Sequence, residues 1–358
     1  MQNAAAAKPL IEQKKMLCLP STGGNPYQAL LYSKLPGDFD TDFAGPGGLD
    51  RLRTTDYDVI HVHWDDRMFG RGEDTAEDET ALDESLKELR AFKRHGGRIV
   101  WTIHNDAPHK ERNQAIFERG RRALVDLADA IHVHADHAAD HMVETYGAKR
   151  SKIAVIPHPS YLGAYETSKK TLARGLRKSD VREFLFFGMF RGPKGVHAIQ
   201  DVAAKLTRRE VPFHLRMYGK AFSSQARLLR RLDANPNVDL RTDRIPDDEI
   251  PDIFGASHVF LAPYQSLFTS GSVMLALTFG LPIIGPNIRE LRETTPEACH
   301  HLLYDPASPR GLIRSMLQFI EMPDMELRKA RKACFDFAKD RNPSKISTEI
   351  AELLQAAQ

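Results

Sequence analysis

Short runs rich in β-branched and aromatic residues alternate with longer amphipathic stretches along the whole chain. In the first half the short runs read KKMLCLP, YDVIHVHW, RIVWTIHN, AIHVHA and KIAVIPHP; in the second they read REFLFFGMF, VPFHLRMYG, VDLRTD, HVFLAPY and PIIGP. Between them lie helical patterns such as TALDESLKELRAFKRHGG, with acids in its first turns, bases in its last and glycines at its end. That polarity suits a helix macrodipole and a glycine stop. Strands alternating with helices predict an α/β fold, with parallel sheets covered on both faces. The polar, basic stretch YETSKKTLARGLRKSD at 165–180 separates two strand sets and marks the seam. The expected division is an N-terminal domain over 1–168, a second over 169–335, and C-terminal helices over 336–358 that pack back on the first. In such sheets ligands bind beyond the carboxyl ends of the strands, so the residues just after each strand carry the functional reading.

A chain of 358 residues favours two domains over one. A formal charge of +2 gives no basic face for nucleic acid, and 42% hydrophobic content is that of an ordinary globular protein. Cys18, Cys299 and Cys334 are scattered, which fits a reducing compartment and no cysteine-rich metal site. The start, MQNAAAAKPLIEQKK, lacks the apolar core of a signal peptide, and no run reaches the ~20 apolar residues of a membrane span. The expected location is cytoplasmic, with membrane-surface contact left open.

In the second half, FLFFGMFRGPKGVHAIQDVAAKL reads as strand, loop and helix, with Gly188, Gly192 and Gly195 permitting close backbone approach. Arg191 and Lys194 place two cations beside the helix start, where free N–H groups attract a diphosphate. The same composition also suits a solvated basic turn. Neither a Walker loop nor a dinucleotide fingerprint is present. After HVFLAPY, the cluster Thr269, Ser270, Gly271 and Ser272 precedes the apolar run VMLALTF. These hydroxyls serve as helix caps or, with the first loop, as a second anion-ready helix start at the same sheet edge.

Polar and aromatic residues also gather at strand ends of the first half. Gly23, Gly24, Asn25 and Tyr27 follow the first strand. His63, Trp64, Asp65 and Asp66 follow the second, and His104, Asn105, Asp106 and His109 the third. His158, Tyr161 and Tyr165 follow the fifth. Hydrogen-bonding groups mixed with aromatic faces suit a sugar. Taken singly, each histidine is more often a structural residue.

Other patterns carry less. His132, His134, His137 and His141 lack an H-E-x-x-H spacing, so no metal is expected. Asp38, Asp40 and Asp42 in DFDTDF fail the calcium-loop pattern at Phe43 and Leu49 and read as a solvated acidic loop. KELRAFKRHGGR and ERGRRAL are basic helical segments, solvated faces that could also meet anionic lipid headgroups.

The order of these motifs resembles a GT-B-fold glycosyltransferase, with two Rossmann-like domains and a C-terminal helical segment. The second half is similar to the large retaining family four through FGMFRGPKG, RIPDDEIPDIFGASHVFLAPY and FGLPIIGPNIRELRE. A narrower likeness, to bacterial exopolysaccharide β-1,4-mannosyltransferases, rests on NPYQALLY, HVHW, TIHN with PH soon after, IPHPSYLGAY and TSGSVMLALTFGLP. That resemblance implies a nucleotide-sugar donor, GDP-mannose first among them, with no cofactor and no essential metal. It also implies a lipid-linked saccharide acceptor, met at the inner face of the cytoplasmic membrane through the basic N-terminal helices. By matching motifs, Arg191 and Lys194 would hold the diphosphate, supported by Thr269, Ser270, Gly271 and Ser272. Gly24, Gly219, Lys220 and Arg244 would complete the donor site. Asn25, Tyr27, His63, Trp64, His109, His158 and Tyr161 would meet the acceptor.

One departure stands out. Family four usually carries two glutamates eight positions apart; alignment on GLP puts Leu267 and Leu275 there. Neither can hydrogen-bond a sugar, so retention is not implied for this chain. Inverting attack would need a base for the acceptor hydroxyl. Asp66 is the first candidate, with His104 or Asp106 next. The remaining readings are a UDP-sugar donor (glucose or glucuronate), a non-catalytic GT-B-like partner of another transferase, and a nucleotide-sugar epimerase.

Overall fold

The computed structural model describes residues 13–21, 23–35, 37, 39–69, 74–106, 114–190, 192–222 and 225–356. Two compact units result. One comprises 1–134, 138–156 and 347–358; the other comprises 135–137 and 157–346.

The first unit is built on strands β1 (Lys14–Leu19), β2 (Phe39–Phe43), β3 (Val59–Val62), β4 (Arg98–Thr102), β5 (Ala130–Val133) and β6 (Ile153–Val155). They form one parallel sheet in the order β2-β1-β3-β4-β5-β6. All the β1, β3, β4, β5 and β6 runs read from the sequence are present. The acidic segment FDTDF is a correction: it is not a loop but the edge strand β2, in register with β1 from Lys14↔Phe39 to Cys18↔Phe43. Alternation explains it. Phe39 is buried against the unit, whereas Asp40 and Asp42 take the solvated face that an edge strand leaves open. Asp42 also accepts a hydrogen bond from Tyr57.

Helix Thr75–Arg94 starts where Asp74 accepts from the Ala76 and Glu77 amides, a side-chain cap of the free N–H groups. It buries Leu82, Leu86, Leu89 and Phe92 at helical spacing. Part of the last helix, Pro343–Ala356, belongs to this unit: Ser347 Oγ accepts from the Lys34 amide at 2.8 Å, and Gln355 O from Arg98 at 3.3 Å.

The second unit carries β7 (Arg182–Phe187), β8 (Phe213–Tyr218), β9 (Val238–Arg241), β10 (Val259–Leu261) and β11 (Ile283–Ile284). These form a parallel sheet in the order β11-β10-β7-β8-β9. Its core is aromatic: Phe184, Phe186, Phe254, Phe260, Phe279 and Phe319 are fully buried. No helix among the described residues is long and apolar enough to cross a membrane.

Candidate active site

In the second unit, the loops after β7, β8 and β10 lie close because glycines let backbone meet backbone. Gly219 has φ +146°, and a Cβ there would overlap the Gly188 carbonyl; Gly195, at φ +70°, would overlap the Pro263 carbonyl. Any side chain at either place would push the loops apart. Lys194 stands with its Nζ 4.2 Å from the centre of the Tyr264 ring. Ser270 caps helix Gly271–Thr278, its Oγ accepting from the Val273 amide at 3.3 Å. The buried hydroxyls of Thr269 and Tyr264 find no hydrogen-bond partner among the described residues. Buried polar atoms are normally paired, so both hydroxyls have hydrogen-bonding capacity to offer a ligand oxygen. Two hydroxyls, a lysine and a helix start gather around one strand end, a combination of groups whose chemistry suits an anion.

The loop before Thr269 is braced by His137, whose Nε2 donates to Phe268 O at 3.0 Å and whose amide donates to Glu293 at 2.9 Å. His158 and Tyr161, expected with the acceptor residues, belong to the second unit. Both are buried in the second unit, and a Cβ on Gly271 would meet the Tyr161 hydroxyl at 2.6 Å and His158 Nε2 at 3.9 Å. His158 Nδ1 donates to Pro159 O at 2.7 Å, and burial pushes its pKa down to about 4, so Nε2 is an acceptor beside Gly271. Lys220 and Arg244 are exposed. Arg191 and His109 lie outside the described residues. Leu275 is buried within its helix and Leu267 is half-buried, so a carboxylate at 275 would be buried in an apolar setting.

In the first unit the β3 and β4 ends converge. Asn25 accepts from the Tyr27 amide at 3.0 Å and starts the short helix Tyr27–Leu31, with Gly24 exposed just before at φ +80°. That helix lays Tyr27 edge-on to the rings of His63, Trp64, His104 and His134. Trp64 stacks on His104 with ring centres 4.3 Å apart and 12° between planes. To do so Trp64 adopts left-handed backbone angles, φ 35° and ψ 56°, at a cost of about 1–3 kcal/mol for a non-glycine residue.

The turn is held from beneath. Asp65 is buried and receives Arg121 Nε at 2.9 Å and Nη2 at 3.3 Å. The same guanidinium donates to the carbonyls of Asn105 and Asp106 and sits among the rings of Trp101, Phe117 and Tyr146. Arg121 therefore corrects the reading of ERGRRAL as a solvated basic face. Gly120 and Arg121 face inward, while Arg119 and Arg122 stay outside.

Asp66 is left beside this ion pair, half-buried. Burial first, and then the Asp65 charge, push its pKa up to about 6. A carboxyl so placed suits proton transfer near neutral pH. Asp106, by contrast, is exposed.

Sequence reasoning missed Tyr32, His61 and Thr102 and weighed His132 only as a metal ligand; all four lie buried beneath the site. His63 Nδ1 is 3.0 Å from His104 Nε2, and His63 Nε2 is 2.6 Å from the Tyr32 hydroxyl. Tyr32 continues to His61 Nδ1 at 2.7 Å; His61 Nε2 reaches Thr102 Oγ1 at 2.8 Å, and Thr102 reaches His132 Nδ1 at 2.9 Å. The visible signal was the repeated HVH, since residues two apart on a strand share a face. No group of three or more potential metal ligands occurs among the described residues.

Residues 181–322 match the family model described as glycosyl transferases group 1, and residues 84–159 match glycosyltransferase family 4. A GDP-mannose:glycolipid 4-beta-D-mannosyltransferase of Xanthomonas campestris pv. campestris is 24% identical over 292 residues, covering 79% of this chain and 75% of that protein. The D-inositol 3-phosphate glycosyltransferase of Thermobispora bispora is 22% identical over 339 residues, covering 88% and 75%. Among solved structures, HepE from Anabaena in complex with UDP-glucose superposes with a TM-score of 0.70 at 15% identity, covering 96% of this chain and 100% of that one. Sucrose-phosphate synthase from Thermosynechococcus elongatus does so at 0.72 and 14%, covering 96% and 98%. The family matches and the two parallel sheets agree, and the chain carries family-four-like glycosyltransferase domains on a GT-B-like fold.

Proposed function

We propose that the enzyme transfers mannose from GDP-mannose to a lipid-linked saccharide, with inversion at the anomeric carbon, in exopolysaccharide synthesis. The observation that carries this reading is the match to a GDP-mannose:glycolipid 4-beta-D-mannosyltransferase, which spans 79% of the chain. The strand ends add chemical support.

The second unit would hold the donor. Lys194, the Gly271 helix start and the hydroxyls of Tyr264 and Thr269 would neutralise the diphosphate as it leaves. Arg191 would join them. The first unit would present the acceptor against Tyr27, Trp64 and His104. Asp66 would take the proton from the acceptor hydroxyl while that oxygen attacks the anomeric carbon. The carbon–oxygen bond to the diphosphate breaks, and its electron pair leaves with the diphosphate. No metal or other cofactor is assigned to the step. A glycolipid acceptor would bring the chain to the inner face of the cytoplasmic membrane as a peripheral protein.

The test supplies the purified enzyme with a lipid-linked saccharide and, in separate reactions, GDP-mannose, UDP-glucose and UDP-glucuronate, and reads the product anomer by NMR. Consumption of GDP-mannose with a β-linked product is expected. A UDP-sugar donor would replace the donor reading, and an α-linked product would overturn inversion.

A further inference from the structure

Tyr161 lies along helix Gly271–Thr278 and touches both of its ends. Its amide donates to Thr278 Oγ1 at 3.0 Å in the last turn. Its phenol oxygen stands over the first residue, 2.6 Å from where a Cβ on Gly271 would be. The ring stacks on Tyr165, with centres 6.1 Å apart and 21° between planes. Tyr161 is 7% exposed, yet its hydroxyl finds no hydrogen-bond partner among the described residues. A tyrosine buried to this degree normally pairs its hydroxyl, which leaves this one open to a partner from outside the chain.

Other donors gather at the same helix start. Ser270 Oγ is taken up by the Val273 amide. The Gly271 and Ser272 amides, the first two of the helix, have no acceptor among the described residues. Such N–H groups are the ones a helix cannot satisfy internally. Two amides and a phenol therefore crowd one place without bonding one another, and an oxygen that only accepts would suit all three. Burial pushes the Tyr161 phenol further above its ordinary pKa, so the hydroxyl keeps its proton and can donate. The helix start also lies against the loop after β7, because a Cβ on Gly188 would meet Ser272 Oγ at 3.3 Å. Gly271 fits the same picture. Its φ lies outside the left-handed region, so the backbone accepts any residue there, and it is the phenol oxygen that leaves no room for a side chain.

We infer that Tyr161 is a donor-side catalytic residue, whose hydroxyl donates to the terminal phosphate of the departing nucleoside diphosphate at the start of helix Gly271–Thr278. This rests on the reading of the second unit as the donor site. The bond from the anomeric carbon to the phosphate oxygen breaks, and its electron pair stays on that oxygen. Negative charge grows on the phosphate, the hydrogen bond from Tyr161 strengthens with it, and the proton remains on the phenol.

Tyr161→Phe removes the hydroxyl and keeps the ring. Gly271→Ala places a methyl where the hydroxyl stands and must displace it. With both changes the methyl meets the ring carbon Cζ at 3.7 Å, an ordinary contact. Losing one preorganised donor to a developing charge typically costs about 10²–10³ in kcat. Transfer to the lipid-linked saccharide should therefore fall by about 10²-fold in kcat for each single variant, and by no more than that in the double variant. Calorimetry with GDP, UDP, GDP-mannose and UDP-glucose adds a readout that ring packing would not move. A free diphosphate carries charge that its sugar ester lacks. Tyr161→Phe should weaken the diphosphate that wild type prefers by about 10-fold, and the matching sugar ester by less.

An unchanged kcat in Tyr161→Phe, equal weakening of diphosphate and sugar ester, or losses that multiply in the double variant overturn the role of Tyr161. A wild type that binds neither diphosphate overturns the donor site and the role of Tyr161 with it. Preference for UDP overturns the GDP-mannose reading alone, and the comparison of UDP with UDP-glucose then decides Tyr161. The expected shifts in binding, with no transfer by wild type from any donor, overturn the proposed reaction and leave the Tyr161 contact standing.

Discussion

Asp66 offers a test in which stability and activity should move in opposite directions. Its carboxyl is displaced from an ordinary 3.8 to about 6, chiefly by burial and then by the charge of Asp65. At about 1.4 kcal/mol per tenfold change in proton affinity, that displacement amounts to roughly 3 kcal/mol. The sign follows from linkage. The folded state prefers the protonated acid, so this group lowers stability progressively as pH rises from near 4 towards 6, and the penalty is complete above that range. An amide in place of the carboxyl does not ionise and carries no such penalty. Asp66→Asn should match wild type near pH 4 in its ionisation contribution and exceed it by up to about 3 kcal/mol near pH 8, read from urea unfolding at both pH values. Transfer should meanwhile fall by about 10²–10⁴, the usual worth of a general base, with GDP affinity unchanged by calorimetry. A stability difference that does not grow with pH would refute the burial argument. Transfer left intact would remove Asp66 from the role of base.

The same displacement predicts that kcat/KM rises with pH and levels off above about 6, because only the ionised carboxylate accepts a proton; a pH–rate profile flat through that region would contradict it. Arg121→Met should cost about 3–5 kcal/mol in thermal or urea unfolding, because Asp65 would stay buried without its counter-charge. Replacing Arg121 and Asp65 together by apolar residues should recover much of that loss. Lys194→Ala should weaken GDP and GDP-mannose to the same degree by calorimetry, since the shared diphosphate is what it would hold. Gly219→Val should abolish nucleotide binding while leaving the first unit's spectrum unchanged, because its side chain would force the β7 and β8 loops apart.

Much of the architecture was legible as pattern. Buried strand runs alternating with amphipathic helices are local properties, and ten of the eleven strands among the described residues follow from them. The exception is β2, where FDTDF reads as acidic because an edge strand needs only alternate burial and tolerates carboxylates on its open face. The positions of Lys194, Thr269 and Gly271 were equally readable, since a helix start after a parallel strand announces itself through glycines, hydroxyls and a cation.

The choice of Asp66 over Asp65 rested on position alone, and the physical difference between the two neighbours was not readable. Asp65 and Asp66 are adjacent and identical in type, and only the packing of Arg121 from a distant helix commits the first to an ion pair and leaves the second titratable. Arg121 itself stands in a basic run whose other arginines face solvent. His158 and Tyr161 follow a first-half strand in order yet pack against Gly271. The histidines of HVH repeat with a period that puts them on one face. Their joining into one hydrogen-bonded chain, however, depends on Tyr32 and Thr102 arriving from other elements within 3 Å. Sequence by itself determined the strands, the helices and the edge of each sheet where chemistry gathers, because these follow from local periodicity and turn chemistry. Tertiary structure alone decided protonation and pairing, because those depend on burial and on contacts between residues far apart in the chain.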